Sequence, residues 1–136
     1  MISAILLAAG QSKRMNGENK LIKKIKGIPL IQRTVKNILD SSIDKLIIVL
    51  GYQNEIVKKV IDKNNKIEFV INRTFESGMA SSIKIGLSHL PEKTDAFFIC
   101  LGDMPMVNKN ILNLLINSQN NKEIIVPNYK NLQEEF

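Results

Sequence analysis

The chain has 136 residues, 44% hydrophobic and 24% charged, with a net charge of +6, which describes one globular domain with a single core and no linker. No stretch reaches the roughly 18 apolar residues of a membrane-spanning helix, the apolar start lacks the basic flank of a secretory signal, and the single Cys100 precludes an internal disulfide, so a cytoplasmic protein with no membrane partner is expected. Its lysines are scattered, it has five Phe, two Tyr and no Trp, and it carries no recognisable nucleic-acid motif, which argues against a nucleic-acid partner despite the basic charge.

Ile2 to Leu7 form a short apolar run, as a parallel strand buried on both faces requires. It passes into Ala8, Ala9 and Gly10, which have little side-chain bulk, so a ligand can lie against the backbone there. In open α/β sheets the carboxyl ends of strands are where ligands bind. Arg14 and Lys20 follow within a local cluster of Lys13, Lys23, Lys24 and Lys26 set against Glu18, a field that attracts a polyphosphate, and backbone amides in such a turn can form an anion nest. An ordinary βα turn with one Gly leaves similar marks. The segment is not a P-loop, because Gly17 is followed by Glu18 and Lys20 by Leu21, and no G-x-G-x-x-G is present.

The run Leu7-Ala8-Ala9-Gly10-x-Ser12-x-Arg14-Met15 with Lys20 resembles the signature loop of the MobA/MocA-like nucleotidyltransferases. Those enzymes join a nucleoside triphosphate to molybdopterin-type cofactors or sugar phosphates. The resemblance implies that Leu7, Ala8, Ala9 and Gly10 wrap the nucleotide and that Arg14 and Lys20 hold its phosphates. Ala8-Ala9-Gly10 is more similar to the cytidylyl-transferring branch, since the guanylyl branch usually has Ala-Gly-Gly; this implies CTP over GTP.

Gly27-x-Pro29-Leu30 continues the resemblance, and Pro29 suits a helix start. Leu30, Ile31, Val35, Ile38 and Leu39 recur at helical spacing and predict an amphipathic helix to about Leu39. Lys45–Leu50 predicts a second strand ending at Gly51, Glu55–Ile61 a short helix, and Ile67–Ile71 a third strand. Alternating strands and helices predict βαβ units and a mainly parallel sheet.

Ser77 and Gly78 precede a helix carrying Met79, Ile83, Leu87 and Leu90. They read either as a plain capped start or as amides available to an anion or base edge. The pattern Asn72-x-x-x-x-x-Gly78-Met79-x-x-Ser82 resembles the family's second motif, which implies nucleotide contacts by Asn72 and Gly78 and weaker ones by Ser81 and Ser82. Asp95–Leu101 is the most apolar run, so a central strand is expected, with Cys100 an inert buried thiol. It ends at Gly102-Asp103-Met104-Pro105. A strand-end Asp is commonly a turn former, but it can also share Mg²⁺ with substrate phosphates and waters. The resemblance to the family's third motif implies that Asp103 is the Mg²⁺ ligand.

Asn108 is placed to cap a helix bearing Ile111, Leu112, Leu115 and Ile116, and Glu123–Val126 reads as a last strand. Family members continue from Pro-x-Tyr into a Gly-His-Pro segment and a second acidic metal ligand. Here the one His is His89 and no Asp follows Asp103, so the acceptor-binding part is expected to be missing.

The resemblance implies a Rossmann-like three-layer α/β/α fold of the nucleotide-diphospho-sugar transferase type over a single domain, residues 1–136. It also implies transfer of a nucleoside monophosphate to a phosphorylated acceptor such as molybdopterin, with catalysis by Arg14, Lys20 and Asp103. No Ser/His/Asp or Cys/His arrangement is present, and an anionic acceptor phosphate needs no general base. The alternative is a truncated or regulatory triphosphate-binding module without transfer. A bare sheet edge left by the short chain points to self-association.

Overall fold

The computed structural model describes residues 1–10, 19–104 and 107–118. Strand β1 (Ile2–Ala8) has Ala4, Ile5 and Leu6 fully buried, as its unbroken apolar run requires. It pairs in parallel with β4 (Lys45–Leu50) on one side and β6 (Ala96–Leu101) on the other. β4 pairs in parallel with β5 (Ile67–Ile71), giving a four-stranded sheet in the order β5-β4-β1-β6.

Because successive side chains of a strand point to opposite faces, β1 feeds two cores. Ala4, Leu6 and Ala8 join Leu46, Ile48 and Leu50 under α1 (Leu30–Leu39), α2 (Asn54–Lys59) and α4 (Lys109–Ser118). Ile5 and Leu7, with Ala9 just beyond the strand, join Ile47, Val49 and Val70 under α3 (Met79–Ser88). The expected three layers of helix, parallel sheet and helix are therefore present. No helix among the described residues is long and apolar enough to cross a membrane.

α1 buries Leu30, Ile31, Thr34, Val35 and Ile38, a single face of the helix. The chain enters it through a two-residue hairpin between β2 (Lys24–Ile25) and β3 (Ile28–Pro29). Lys26 and Gly27 turn that hairpin at φ 53° and 81°, the left-handed pair that a tight hairpin requires. Arg33 of α1 donates to the Ile25 carbonyl at 2.6 Å and so ties the hairpin to the helix.

β6 departs from expectation. Among the described residues it has a neighbour on one side only, β1, and stands at the edge of the sheet rather than its centre. Phe98 and Cys100 pack against the α1-side core, whereas Phe97 and Ile99 are 45% and 44% exposed. An apolar run looks the same whether one or both of its neighbours are strands, which is why the sequence pattern did not place it.

At α4 the expected cap is present, with Asn108 Oδ1 accepting from the Asn110 and Ile111 amides at 3.0 and 3.1 Å. The strand expected at Glu123–Val126 lies outside the described residues.

Candidate functional site

The carboxyl ends of β1 and β6 open onto a cavity of about 900 Å³. Its floor is the β1 end: Leu7, Ala8 and Ala9, at most 8% exposed, and then exposed Gly10. Among the described residues no atom lies within 4 Å of where a side chain of Gly10 would begin, so none of them crowds the backbone there. One wall is Asn19, Lys20 and Leu21, from the 3₁₀ turn Lys20–Ile22 and its cap. The opposite wall is Phe75, Glu76, Gly78, Met79 and Ser82, and the end of β6 contributes Leu101, Gly102 and Asp103.

The floor is held by backbone bonds between neighbouring strand ends. The Gly102 amide donates to the Leu7 carbonyl at 2.9 Å, the Tyr52 amide to the Ala9 carbonyl at 3.0 Å, and the Asn72 amide to the Leu50 carbonyl at 2.6 Å. Thr34, buried in α1, donates its hydroxyl to the Gly102 carbonyl at 3.0 Å, so α1 fixes the residue just before Asp103. Gly51 lets three segments converge. A Cβ there would stand 2.7 Å from Phe75 Cβ and 2.8 Å from Ala9 Cβ, inside van der Waals contact. Behind the wall, the Tyr52 ring meets the edge of Phe75 with centroids 6.2 Å apart.

Lys20 Nζ lies 3.7 Å from Asp103 Oδ2, with the two side chains 48% and 46% exposed. A cation and a carboxylate from opposite ends of the sequence pattern thus meet inside one cavity. Asp103 is a strand-end carboxylate of the kind that holds Mg²⁺ together with substrate phosphates and waters. No cluster of three or more His, Cys, Asp or Glu suited to a metal occurs among the described residues, so a dedicated all-protein cage is not the arrangement these residues form.

Asn72 is placed differently from what the resemblance implied. It is fully buried and does not line the cavity. Its Nδ2 donates to Ser81 and Ser82 Oγ at 2.9 Å each, and its Oδ1 accepts from the Thr74 amide and hydroxyl at 2.9 and 3.0 Å. The side chain is a clasp that closes the Thr74–Ser82 loop onto the start of α3. Ser82 carries that clasp to the cavity, where it forms part of the lining. Gly78, with φ 106°, occupies a backbone region that a side chain would strain, and it turns the chain from the wall into α3.

Of the expected site residues, Leu7, Ala8, Ala9, Gly10, Lys20, Gly78, Ser82 and Asp103 line the one cavity. Arg14 lies outside the described residues. Asn19, Phe75, Glu76 and Met79 line it too and were not singled out as contacts. Phe75, Glu76 and Met79 fall inside the Asn72–Ser82 segment, which was the available signal. Asn19 carried no such signal.

A family model described as a MobA-like NTP transferase domain matches residues 4–135. A probable molybdenum cofactor guanylyltransferase of Methanosarcina acetivorans is 29% identical over 132 residues, 94% of this chain and 57% of the relative. Among solved structures, a nucleotidyl transferase from Methanothermobacter thermautotroptrophicus aligns with a TM-score of 0.79 at 25% identity, covering 87% of this chain and 57% of the other. A manganese complex of Rv0371C from Mycobacterium tuberculosis H37Rv aligns with a TM-score of 0.69 at 20% identity, covering 85% of this chain and 58% of the other. The chain thus spans a little over half the length of these three proteins.

Proposed function

The chain belongs to the MobA-like NTP transferase domain family, and from that premise we propose that it binds a nucleoside triphosphate in the strand-end cavity and serves transfer of the nucleoside monophosphate to a phosphorylated acceptor. The observation that carries this reading is the convergence of a small-residue strand end, Lys20 and Asp103 on one cavity, with Lys20 and Asp103 3.7 Å apart. In the transfer, an acceptor phosphate oxygen bonds to the α-phosphorus, the bond between the α-phosphorus and its bridging oxygen breaks, and pyrophosphate leaves. The nucleophile is already anionic, so the protein's work is positioning and charge stabilisation.

Ala8, Ala9 and Gly10 admit the nucleotide against the backbone, and the Phe75–Ser82 wall flanks it. Lys20 neutralises phosphate charge, and the resemblance assigns the same role to Arg14, which lies outside the described residues. Asp103 would hold Mg²⁺, consistent with the manganese complex reported for a protein of this fold. A bound divalent ion polarises the phosphate oxygens.

Two finer points are part of the proposal. A molybdopterin-type acceptor is supported by the name of the archaeal relative. CTP over GTP is supported by Ala9 in the floor, whereas the same relative is a guanylyltransferase by name, which favours GTP. Calorimetric titration of CTP, GTP and RNA, each with and without Mg²⁺, tests the whole. One triphosphate should bind in a Mg²⁺-dependent way and RNA should not, and binding of neither triphosphate overturns the reading.

Pyrophosphate release from the bound triphosphate in the presence of a molybdopterin-type acceptor tests the transfer step.

A further inference from the structure

Asn19 caps the turn that carries Lys20. Its Oδ1 accepts from the Leu21 amide at 3.0 Å. That bond fixes the orientation of the side-chain amide, because only the oxygen end can accept. The other end, Nδ2, is a donor; the residue is 4% exposed, and Nδ2 has no hydrogen-bond partner among the described residues.

Buried side-chain donors in folded proteins are nearly always paired. Asn19 Nδ2 is buried and unpaired among the described residues, and the residue lines the 900 Å³ cavity beside Lys20. We infer that Asn19 Nδ2 is a donor to the polyphosphate of the bound nucleotide, a binding role separate from its cap. An N–H at this position needs an oxygen acceptor. The ammonium of the adjacent residue favours an anionic one, and an N–H bonded to a charged oxygen is the stronger kind of hydrogen bond. Cap and donor act together, since Oδ1 holds the amide plane fixed while Nδ2 remains free. This inference rests on the nucleotide reading and deepens it by assigning a phosphate contact that no motif marked.

The test uses the full chain and three probes: tripolyphosphate, the triphosphate that the wild-type protein binds, and the matching nucleoside. Asn19→Ser keeps a residue suited to capping but cannot place a donor where Nδ2 stands, and it adds no charge. It should weaken tripolyphosphate and triphosphate binding by about 10- to 150-fold, the range for a hydrogen bond to a charged group, and leave nucleoside affinity unchanged. Asn19→Asp keeps the capping oxygen and puts a carboxylate oxygen where the donor was, so it should bind both phosphate probes more weakly still. Thermal melts of both variants confirm that they are folded.

Wild-type affinity for tripolyphosphate in Asn19→Ser overturns the inference, even if Asn19→Asp binds poorly, because the loss would then be charge repulsion alone. Equal losses for triphosphate and nucleoside also overturn it. A wild-type protein that binds no triphosphate and no tripolyphosphate instead overturns the nucleotide reading itself, so the two failures are distinct.

Discussion

At the scale of single residues, the cavity separates groups that face the ligand from groups that hold them. Asp103→Asn should remove the Mg²⁺-dependent part of triphosphate affinity while leaving the melting temperature unchanged, because the side chain is 46% exposed and outside both cores. Mg²⁺ dependence equal to wild type, by calorimetry, would show the assignment wrong. Asn72 is of the second kind. Asn72→Ala removes the four hydrogen bonds of a fully buried side chain, and unsatisfied buried partners cost about 1–3 kcal/mol each. Both melting temperature and nucleotide affinity should fall, and Asn72→Asp should restore part of each, since a carboxylate still accepts from Thr74 and from rotated serine hydroxyls. The sequence motif singled out Asn72 as a nucleotide contact. It could not say whether the amide faces a ligand or its own loop, because residue type and spacing are the same in both cases. Cys100, expected as an inert buried thiol, is half-buried, and desolvation pushes its thiol up to about 11. The native protein keeps that proton while an unfolded thiol loses it near about pH 8.5. The thiol's contribution to stability is therefore fully present below about 8.5 and is lost as pH rises toward about 11. Alkylation at pH 8 should be slow in buffer and fast in urea.

At the scale of elements, what the sequence disclosed was the strands of the parallel sheet and their ends. β1, β4 and β5 match their apolar runs, and the small residues after β1 form the cavity floor. Such features are local, so a single pass along the chain finds them. Lateral order is not local, and so β6 was expected at the centre and, among the described residues, stands at the edge. The convergence at Gly51 was hidden for the same reason. Its neighbours Ala9 and Phe75 are distant in sequence, and a glycine after a strand reads only as a stop. Gly51→Ala must push Phe75 or Ala9 away from contacts of 2.7 and 2.8 Å. Overpacking of this kind costs about 1–3 kcal/mol. The expected result is a lower melting temperature together with weaker nucleotide binding, both read on the same sample.

At the scale of the whole molecule, the described sheet has a half-bare edge at β6. Phe97 and Ile99 expose nearly half their surface on a strand with one neighbour, and such an edge is a template for pairing with another chain. The isolated chain should self-associate in sedimentation velocity, and Phe97→Lys should shift it toward monomer without lowering its melting temperature, since little buried area is lost. A monomeric wild-type chain would show that the edge is already covered.

The ion pair across the cavity has a thermodynamic consequence. With no nucleotide present, Asp103 already has a cationic neighbour in Lys20, so a free divalent ion must compete with an ammonium group for the carboxylate. Under the proposed function, an incoming triphosphate gives Lys20 another anion to face and frees Asp103 for the metal, which would make metal and nucleotide linked ligands, each raising the affinity for the other by the same factor. Free Mn²⁺ should bind poorly to the wild-type chain and more tightly to Lys20→Ala, and the gain that a triphosphate confers on Mn²⁺ binding should shrink in that variant. Equal Mn²⁺ affinities for the two proteins, by electron paramagnetic resonance titration, would mean that the pair exerts no such linkage.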